Sequence, residues 1–181
     1  MINAAGVMEG IPMLGSMSYM MPNFEDANIQ VNVEGLAVDY NFIETMGLEV
    51  LKGRSFSEKF GSDLQNSTIL NEMAVKKLGI KEPIGTRFGQ KTIIGIVRDF
   101  NLHSIHSDIP ALSIDLNDEY IHQIFVHYKT GTLDNLLPFL ENEWKKLVPE
   151  RPFTYETIED LFAEIYSSEK TLISIITLAT I

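Results

Sequence analysis

The sequence predicts an α+β fold of two lobes, in which both chain ends build one lobe and the middle is inserted as another. Each end shows a strand–helix–strand pattern, and polar segments at 57–66 and 117–120 separate these ends from the middle. Two β-α-β units commonly share one four-stranded sheet with both helices on one face. We therefore predict a discontinuous lobe of residues 1–58 and 122–157, and a smaller inserted α+β lobe of residues 59–121.

The first chain end contains the first β-α-β pattern. Residues 28–34 alternate strictly between polar and apolar, which predicts a half-buried strand with Ile29 on its inner face. A short helix over residues 40–46 follows, and Gly47 ends it. Residues 48–52 are the second strand of this unit.

The middle of the chain is also α+β. Residues 68–70 are a predicted strand, and a helix over 72–78 follows with Asn71 as its N-cap and Gly79 as its C-cap. Three more strands are predicted, the first two joined by a tight hairpin: 86–88, 91–97 and 111–116.

The second chain end repeats the β-α-β pattern. Residues 122–129 alternate as a strand, and a helical stripe of Leu and Trp follows before Pro149. Because proline is tolerated only in the first helical turn, Pro138 predicts that this helix begins at about Asn135. Residues 153–156 are the predicted last strand.

The last residues, 158–181, are predicted to be a helix that leads into a truncated transmembrane span. Thr157 and Asp160 form a reasonable N-cap pair, and the first half of the helix is amphipathic. Residues 171–181 carry no charge, and this run is about half the ~20 apolar residues that a membrane span needs. The alternative is a C-terminal helix buried in this domain's own core or in a dimer.

Composition excludes several classes of function. The chain has 181 residues, a formal net charge of −11 and no cysteine. The charge disfavours nucleic acid and anionic lipid headgroups as partners, and it agrees with a place outside the cytoplasm. The absence of cysteine excludes disulfides, thiolate metal sites and a Cys nucleophile. The N-terminus lacks the basic start and apolar block of a signal peptide, so we expect any export helix to lie upstream.

No residue pattern predicts catalysis, a cofactor site or a metal site. A G-K-[ST] phosphate-binding loop is absent from the sequence. Lys129 and Ser167 begin K-T-G and S-x-x-K patterns, but their order is reversed relative to penicillin-binding proteins and no S-D-N lies between them. His103 and His106 lie in a predicted loop without a second His pair, where solvated histidines are the favoured interpretation. Paired acids such as Glu159 and Asp160 fall on outer helix faces.

The N-terminal methionines are the one unusual feature of composition. Six of the eight methionines lie within the first 21 residues: Met1, Met8, Met13, Met17, Met20 and Met21. Thioethers suit Cu(I), so an extracytoplasmic copper-binding protein is an alternative function. Packing or partner contact by flexible Met side chains is the favoured interpretation.

Four segments of the chain resemble the periplasmic core domain of MacB/FtsX-type ABC transporter permeases. They are "LAVDYNFIETMGLEVLKGRSFS" (36–57), "ILNEMAVKKLGIKEPIGTRF" (69–88), "IIGIVRDFNLHSIHSDIPALSI" (93–114) and "ENEWKKLVPERPFTYETIEDLFAEIYSSEK" (141–170). The pieces "GR.F", "NE.AV..LG...PIG" and "V.DF" stand in the family's order, whereas the first 27 residues match the family poorly.

This resemblance implies a porter-like lobe built from both chain ends and an inserted lobe, placed between two transmembrane helices. It also implies a non-catalytic domain on the periplasmic side of the inner membrane. A cytoplasmic ATPase would drive motion of the transmembrane helices, and the domain would relay that motion to a substrate or partner outside. The helix from Thr157 onward is a physical route, about 37 Å long over its 25 residues. A third alternative is a cytosolic α+β enzyme with a buried C-terminal helix.

Overall fold

The computed structural model describes residues 3–7, 17–100, 108–117, 123–160 and 163, which divide into two compact units, Met1–Lys129 and Thr130–Ile181. The strands of the described residues are β1 (Asn3–Val7), β2 (Met17–Pro22), β3 (Gln30–Val38), β4 (Val50–Gly53), β5 (Ser67–Asn71), β6 (Arg87–Phe88), β7 (Lys91–Val97), β8 (Ala111–Leu116) and β9 (Gln123–His127). Four helices have both ends within the described residues: α1 (Phe42–Thr45), α2 (Asp63–Asn66), α3 (Glu72–Leu78) and α4 (Leu133–Leu147).

The first unit is built on one mixed sheet. Its strand order is β4-β7-β5-β8-β3-β1-β9, with β2 paired to β3 and β6 paired to β7. The pairs β3–β8 and β5–β7 are parallel, and the other pairs are antiparallel. This mixed α+β content agrees with the predicted fold class.

Two apolar clusters cover opposite faces of the sheet. The α1 cluster contains Phe42 and Ile43 of α1, and the α3 cluster contains Ala74 and Leu78 of α3. Neighbouring strand residues alternate between the two clusters, as the pleat requires: Ile69 and Leu70, Ile96 and Val97, Ala111 and Leu112. Strand β5 is buried at all five positions, which is the burial expected of a central strand with helices on both sides.

Locally encoded elements lie where the sequence predicts them. The α3 helix spans Glu72–Leu78, Asn71 caps it by accepting a hydrogen bond from the Ala74 backbone N–H, and Gly79 ends it in the left-handed conformation. Strands β7 and β8 also have the predicted bounds. Ile29 does not lie on the inner face that was predicted for it, and its side chain is 52% exposed. Strand β3 begins only at the next residue, Gln30, after a turn in which the Ile29 N–H donates to the Asp26 carbonyl.

Long-range strand pairing differs from the predicted lobes. The sequence separates 59–121 from the chain ends, whereas β5, β7 and β8 of that segment lie in one sheet with β3 and β4. Strands β3 and β9, which come from the two predicted chain ends, also lie in this sheet. Strand β4 pairs with β7 and does not lie next to β3. Strand pairing depends on tertiary packing and not on proximity along the chain.

The second unit departs from the sequence prediction at both of its boundaries. Helix α4 begins at Leu133, so the predicted start at Asn135 is wrong and Pro138 lies in the second turn. Pro138 and Asp134 are exposed, so water can satisfy the Asp134 carbonyl that the missing proline N–H leaves unpaired. Residues 153–156 are not a strand: the ring of Phe153 instead lies 6.4 Å from that of Trp144 on α4. In the described part of the chain the second β-α-β unit therefore lacks its last strand.

A further helix begins after Thr157, as predicted. Residues 158–160 and 163 are helical. The Thr157 hydroxyl accepts a hydrogen bond from the Asp160 backbone N–H (3.1 Å) and donates to the Asp160 carboxylate (2.7 Å), which is a capping arrangement. The apolar run 171–181 lies outside the described residues. Within the described residues, no helix combines the length and apolar composition that a bilayer crossing requires.

Candidate functional site

The "GR.F" segment has a structural role. Gly53 has φ +74°, and a Cβ there would collide with the Ile94 carbonyl oxygen. Phe56 is buried in the α1 cluster. Arg54 extends to Asp63, whose side chain has no exposed surface. The segment therefore fixes the chain after β4 rather than offering groups to a ligand.

The Asp63 carboxylate is fully enclosed by hydrogen-bond donors. Arg54 Nη1 and Nη2 donate to its two oxygens at 2.6 and 2.8 Å, the Ser67 hydroxyl donates at 3.0 Å, and the Ser57 N–H donates at 3.1 Å. Burial alone raises the pKa of Asp63, but the bonds from Arg54, Ser67 and Ser57 outweigh it and hold this pKa below its usual value. The Arg54 guanidinium also lies 4.0 Å from the ring centre of Phe60. A carboxylate locked as an anion is unsuited to proton transfer.

The "NE.AV..LG" and "V.DF" segments meet at the start of α3. The Asn71 side chain accepts from the Ala74 and Leu112 N–H groups and donates to the Pro110 carbonyl. The Asp99 carboxylate accepts from the Met73 N–H at 2.8 Å, while Glu72 accepts from the Asp99 N–H at 3.2 Å. These polar residues are thus occupied in joining α3 to β7 and β8, which explains their spacing without any catalytic role.

The methionines do not assemble a metal site in the described residues. Met17 and Met20 are 70% and 57% exposed on β2, and their separation of three residues places them on opposite faces of the strand. Met17 and Met21 share a face, but four strand residues separate them by about 13 Å. No cluster of three or more His, Cys, Asp or Glu with metal-binding geometry occurs among the described residues. His103, His106, Ser167 and Met1, Met8 and Met13 lie outside those residues.

The sequence did not predict two features of the structure. The first is a set of polar contacts on the face of the sheet that α3 covers. The Tyr19 hydroxyl lies 2.7 Å from the hydroxyl of buried Ser113. Lys91 and Asp115 form an ion pair at 3.1 Å. Burial raises the pKa of Tyr19 to about 12; the hydrogen bond with Ser113 lowers it and the Asp115 carboxylate raises it further. Nothing local in β2 marks Tyr19 for this partner, since Ser113 is 94 residues away.

The second feature is a groove beside α3, with a volume of about 400 Å³. We call it the α3 groove. Its apolar lining comes from Leu51, Val75, Ile80, Pro83 and Ile96. Its charged lining comes from Glu25, Lys52, Glu72, Lys76 and Lys81. Lys81 is paired with Glu25 at 3.0 Å, so one basic residue of the rim is already neutralised.

The loop after β2 forms one wall of the α3 groove. The Asn23 side-chain amide donates to the Lys77 carbonyl at 2.8 Å, and the Phe24 N–H donates to the Leu78 carbonyl at 2.7 Å. These bonds satisfy carbonyls that the end of α3 leaves without helical partners. The loop and the helix end are therefore held together, and the wall is part of the folded framework.

Comparison with known proteins identifies the fold. No protein-family model and no curated protein sequence matches the chain significantly. The periplasmic region of MacB from Actinobacillus actinomycetemcomitans matches with a TM-score of 0.54 and 17% identity, over 90% of this chain and 75% of that one. The extracellular domain of the noncanonic ABC-type transporter YknZ from Gram-positive bacteria matches with a TM-score of 0.50 and 15% identity, over 83% and 76%. The chain thus has the α+β fold of the extracytoplasmic domains of MacB-type ABC transporter permeases.

Proposed function

We propose that this chain is the extracytoplasmic domain of an ABC transporter permease in the inner membrane, and that it is non-catalytic. The observation that carries the proposal is the structural match over 90% of the chain to the periplasmic region of MacB. The segments that suggested this family are the ones that build the Arg54–Asp63 pair and the start of α3. Sequence pattern and fold therefore support the same proposal.

The proposal assigns ATP hydrolysis to a separate cytoplasmic ATPase, because the sequence contains no phosphate-binding loop. In this scheme the domain contributes motion rather than chemistry. It is attached to the membrane-embedded part of the transporter, and it contacts a substrate or a partner protein outside the membrane. Nucleic acid is not a partner in this scheme, since the net charge is −11.

The proposed relay element is the helix that begins at Thr157. Its first turn is capped by the two hydrogen bonds between Thr157 and Asp160, which define where the helix begins. A helix is stiff along its axis because each residue is bonded to the next turn. Movement of the membrane end would then displace the water-exposed domain.

Cysteine labelling tests the proposed location, because this chain contains no cysteine and the full-length protein without the introduced cysteine gives the background labelling. Lys59→Cys, at an exposed position, is introduced into the full-length protein, and intact spheroplasts are treated with a membrane-impermeant maleimide. We expect labelling before lysis. Leu112→Cys, which is fully buried, is the matched control and should react only after denaturation. Labelling of Lys59→Cys that requires lysis would overturn the proposal.

The relay is tested by interrupting the helix. Ala163 is helical and exposed, so Ala163→Pro breaks the rod without removing a core side chain. In reconstituted transporter we expect ATP to change the maleimide labelling rate of Lys59→Cys, and Ala163→Pro to abolish that change while ATP hydrolysis continues. Ala163→Ser is the matched control and should keep the response. An unaltered response in Ala163→Pro would contradict the relay.

A further inference from the structure

Positive charge is concentrated in one segment of this acidic chain. Residues 52–98 contain nine of the 14 Lys and Arg residues but four of the 25 Asp and Glu residues. This segment is net positive although the whole chain carries a formal charge of −11. An excess of basic residues of this kind makes the local electrostatic potential less negative than that of the rest of the molecule.

The fold gathers this segment at one end of the sheet. Strands β4, β7 and β5 are consecutive in the sheet order, β6 pairs with β7, and α3 follows directly after β5. The segment therefore lies at one end of the sheet, where ion pairs also bring in Glu25, Asp115 and Glu49 from outside it. Four of the nine are neutralised in ion pairs, namely Arg54, Lys81, Lys91 and Arg98.

The α3 groove lies within this basic region. Lys52 on β4 and Lys76 on α3 line it, both are exposed, and neither has an ion-pair partner among the described residues. Between them, Val75 and Ile96 supply apolar surface to the groove lining. An apolar groove surface beside unpaired lysines is complementary to a ligand whose apolar side chains are flanked by carboxylates.

We propose that the α3 groove binds an acidic amphipathic segment of a partner protein, with apolar side chains in the groove and carboxylates against Lys52 and Lys76. The inference deepens the proposed function, on which it rests, by naming the chemistry of the extracytoplasmic partner. A flat anionic bilayer fits less well, because the groove is concave. Helix-in-groove recognition uses the same arrangement of apolar anchors and a charged rim.

Two synthetic peptides test the proposal. Both are amphipathic helices of about 14 residues, roughly four turns, with the same leucine stripe; one has glutamate and the other lysine on the polar face. We expect the glutamate peptide to bind the full chain in fluorescence anisotropy, more weakly as salt rises, and the lysine peptide not to bind. Lys52→Glu with Lys76→Glu should weaken the glutamate peptide by about tenfold or more.

Lys145→Glu with Lys146→Glu on α4 is the matched control, because it changes the net charge equally at another exposed site. It should leave binding of the glutamate peptide unchanged, and thermal unfolding verifies that both double variants are folded. Equal affinity for the two peptides, or equal loss in both double variants, would overturn the proposal. Phosphatidylglycerol vesicles that bind in a Lys52- and Lys76-dependent manner, with no peptide binding, would assign the groove to lipid instead.

The outcome is separable from the test of location. If Lys59→Cys is labelled from outside and the glutamate peptide fails to bind, the proposed function stands and the groove proposal falls. If the glutamate peptide binds in the predicted manner but labelling of Lys59→Cys requires lysis, the groove still binds acidic amphipathic segments, and the transporter role is wrong.

Discussion

Arg54 and Asp63 form a two-point ion pair, with Nη1–Oδ2 at 2.6 Å and Nη2–Oδ1 at 2.8 Å, in which the Asp63 side chain is fully buried and the Arg54 side chain is 37% exposed. The pair closes the loop between β4 and β5. Ser57 and Ser67 donate to the same carboxylate from both sides of the loop. Stability of this region therefore depends on one buried charge with an accessible partner.

Arg54→Ala should lower the free energy of unfolding by about 3 kcal/mol at neutral pH, because it leaves a buried carboxylate without its counter-ion. We place the loss at the low end of the range for broken buried pairs because the Arg54 side chain is partly exposed. Urea denaturation measures it. Arg98→Ala is the control: its pair with Glu49 is exposed on both sides, so the unfolding midpoint should hardly move. Equal effects of the two changes would contradict this account.

The lowered pKa of Asp63 predicts a specific loss of stability in acid. The unfolded chain protonates this carboxyl near pH 4, whereas the folded chain does so at lower pH. Between those values the unfolded state binds more protons, so stability present above about pH 4 is lost as the pH falls. Asp63→Asn removes this titration. The difference in unfolding free energy between wild type and Asp63→Asn should therefore shrink from pH 6 towards pH 3, in a series of denaturant titrations; a constant difference would refute the assignment.

Replacing Gly53 and Gly47 by alanine separates two effects on stability: the strain of a positive φ and the steric overlap of a new Cβ. Both have positive φ, +74° and +64°, but a Cβ meets the Ile94 carbonyl at Gly53 and nothing within 4 Å at Gly47. Gly47→Ala should cost about 1 kcal/mol for the backbone alone. Gly53→Ala should cost about 3 kcal/mol, since steric overlap is added. Thermal unfolding of both variants measures the contrast, and similar losses would show that the contact relaxes freely.

Tyr19→Phe should cost about 1–2 kcal/mol, because it leaves the hydroxyl of buried Ser113 without its partner. In wild type one tyrosine should ionise at about pH 12, and this step should be missing from the ultraviolet titration of Tyr19→Phe. Between about pH 10 and pH 12 the unfolded state has lost the Tyr19 proton that the folded state keeps, so wild-type stability should fall there. A titration unchanged by Tyr19→Phe would contradict the raised pKa.

Deletion of residues 171–181 should leave the melting temperature nearly unchanged and increase solubility, if this run is membrane-directed. Apolar surface left in water costs about 25 cal/mol per Å², so the isolated chain should gain from losing it. Scanning calorimetry and light scattering compare the two forms. Collapse of the fold on deletion would instead support the alternative of a helix buried in the domain core.

The sequence by itself determined the elements whose signals are local. Asn71 and Gly79 bracket α3 because a side-chain cap and a left-handed glycine act within one helical turn. The predicted strand over 111–116 coincides with β8, and Thr157 with Asp160 begins the last helix. Each of these depends on contacts only a few residues apart.

Tertiary structure decided what long-range contacts control. Strand β4 pairs with β7, Asn71 also binds the Leu112 N–H 41 residues away, and Phe153 packs on Trp144 instead of joining a sheet. The α3 groove likewise needs Lys52 and Lys76 from separate elements, which only the sheet order brings together. Pairing and burial at such separations depend on how the whole core packs, and one-dimensional periodicity does not encode that choice.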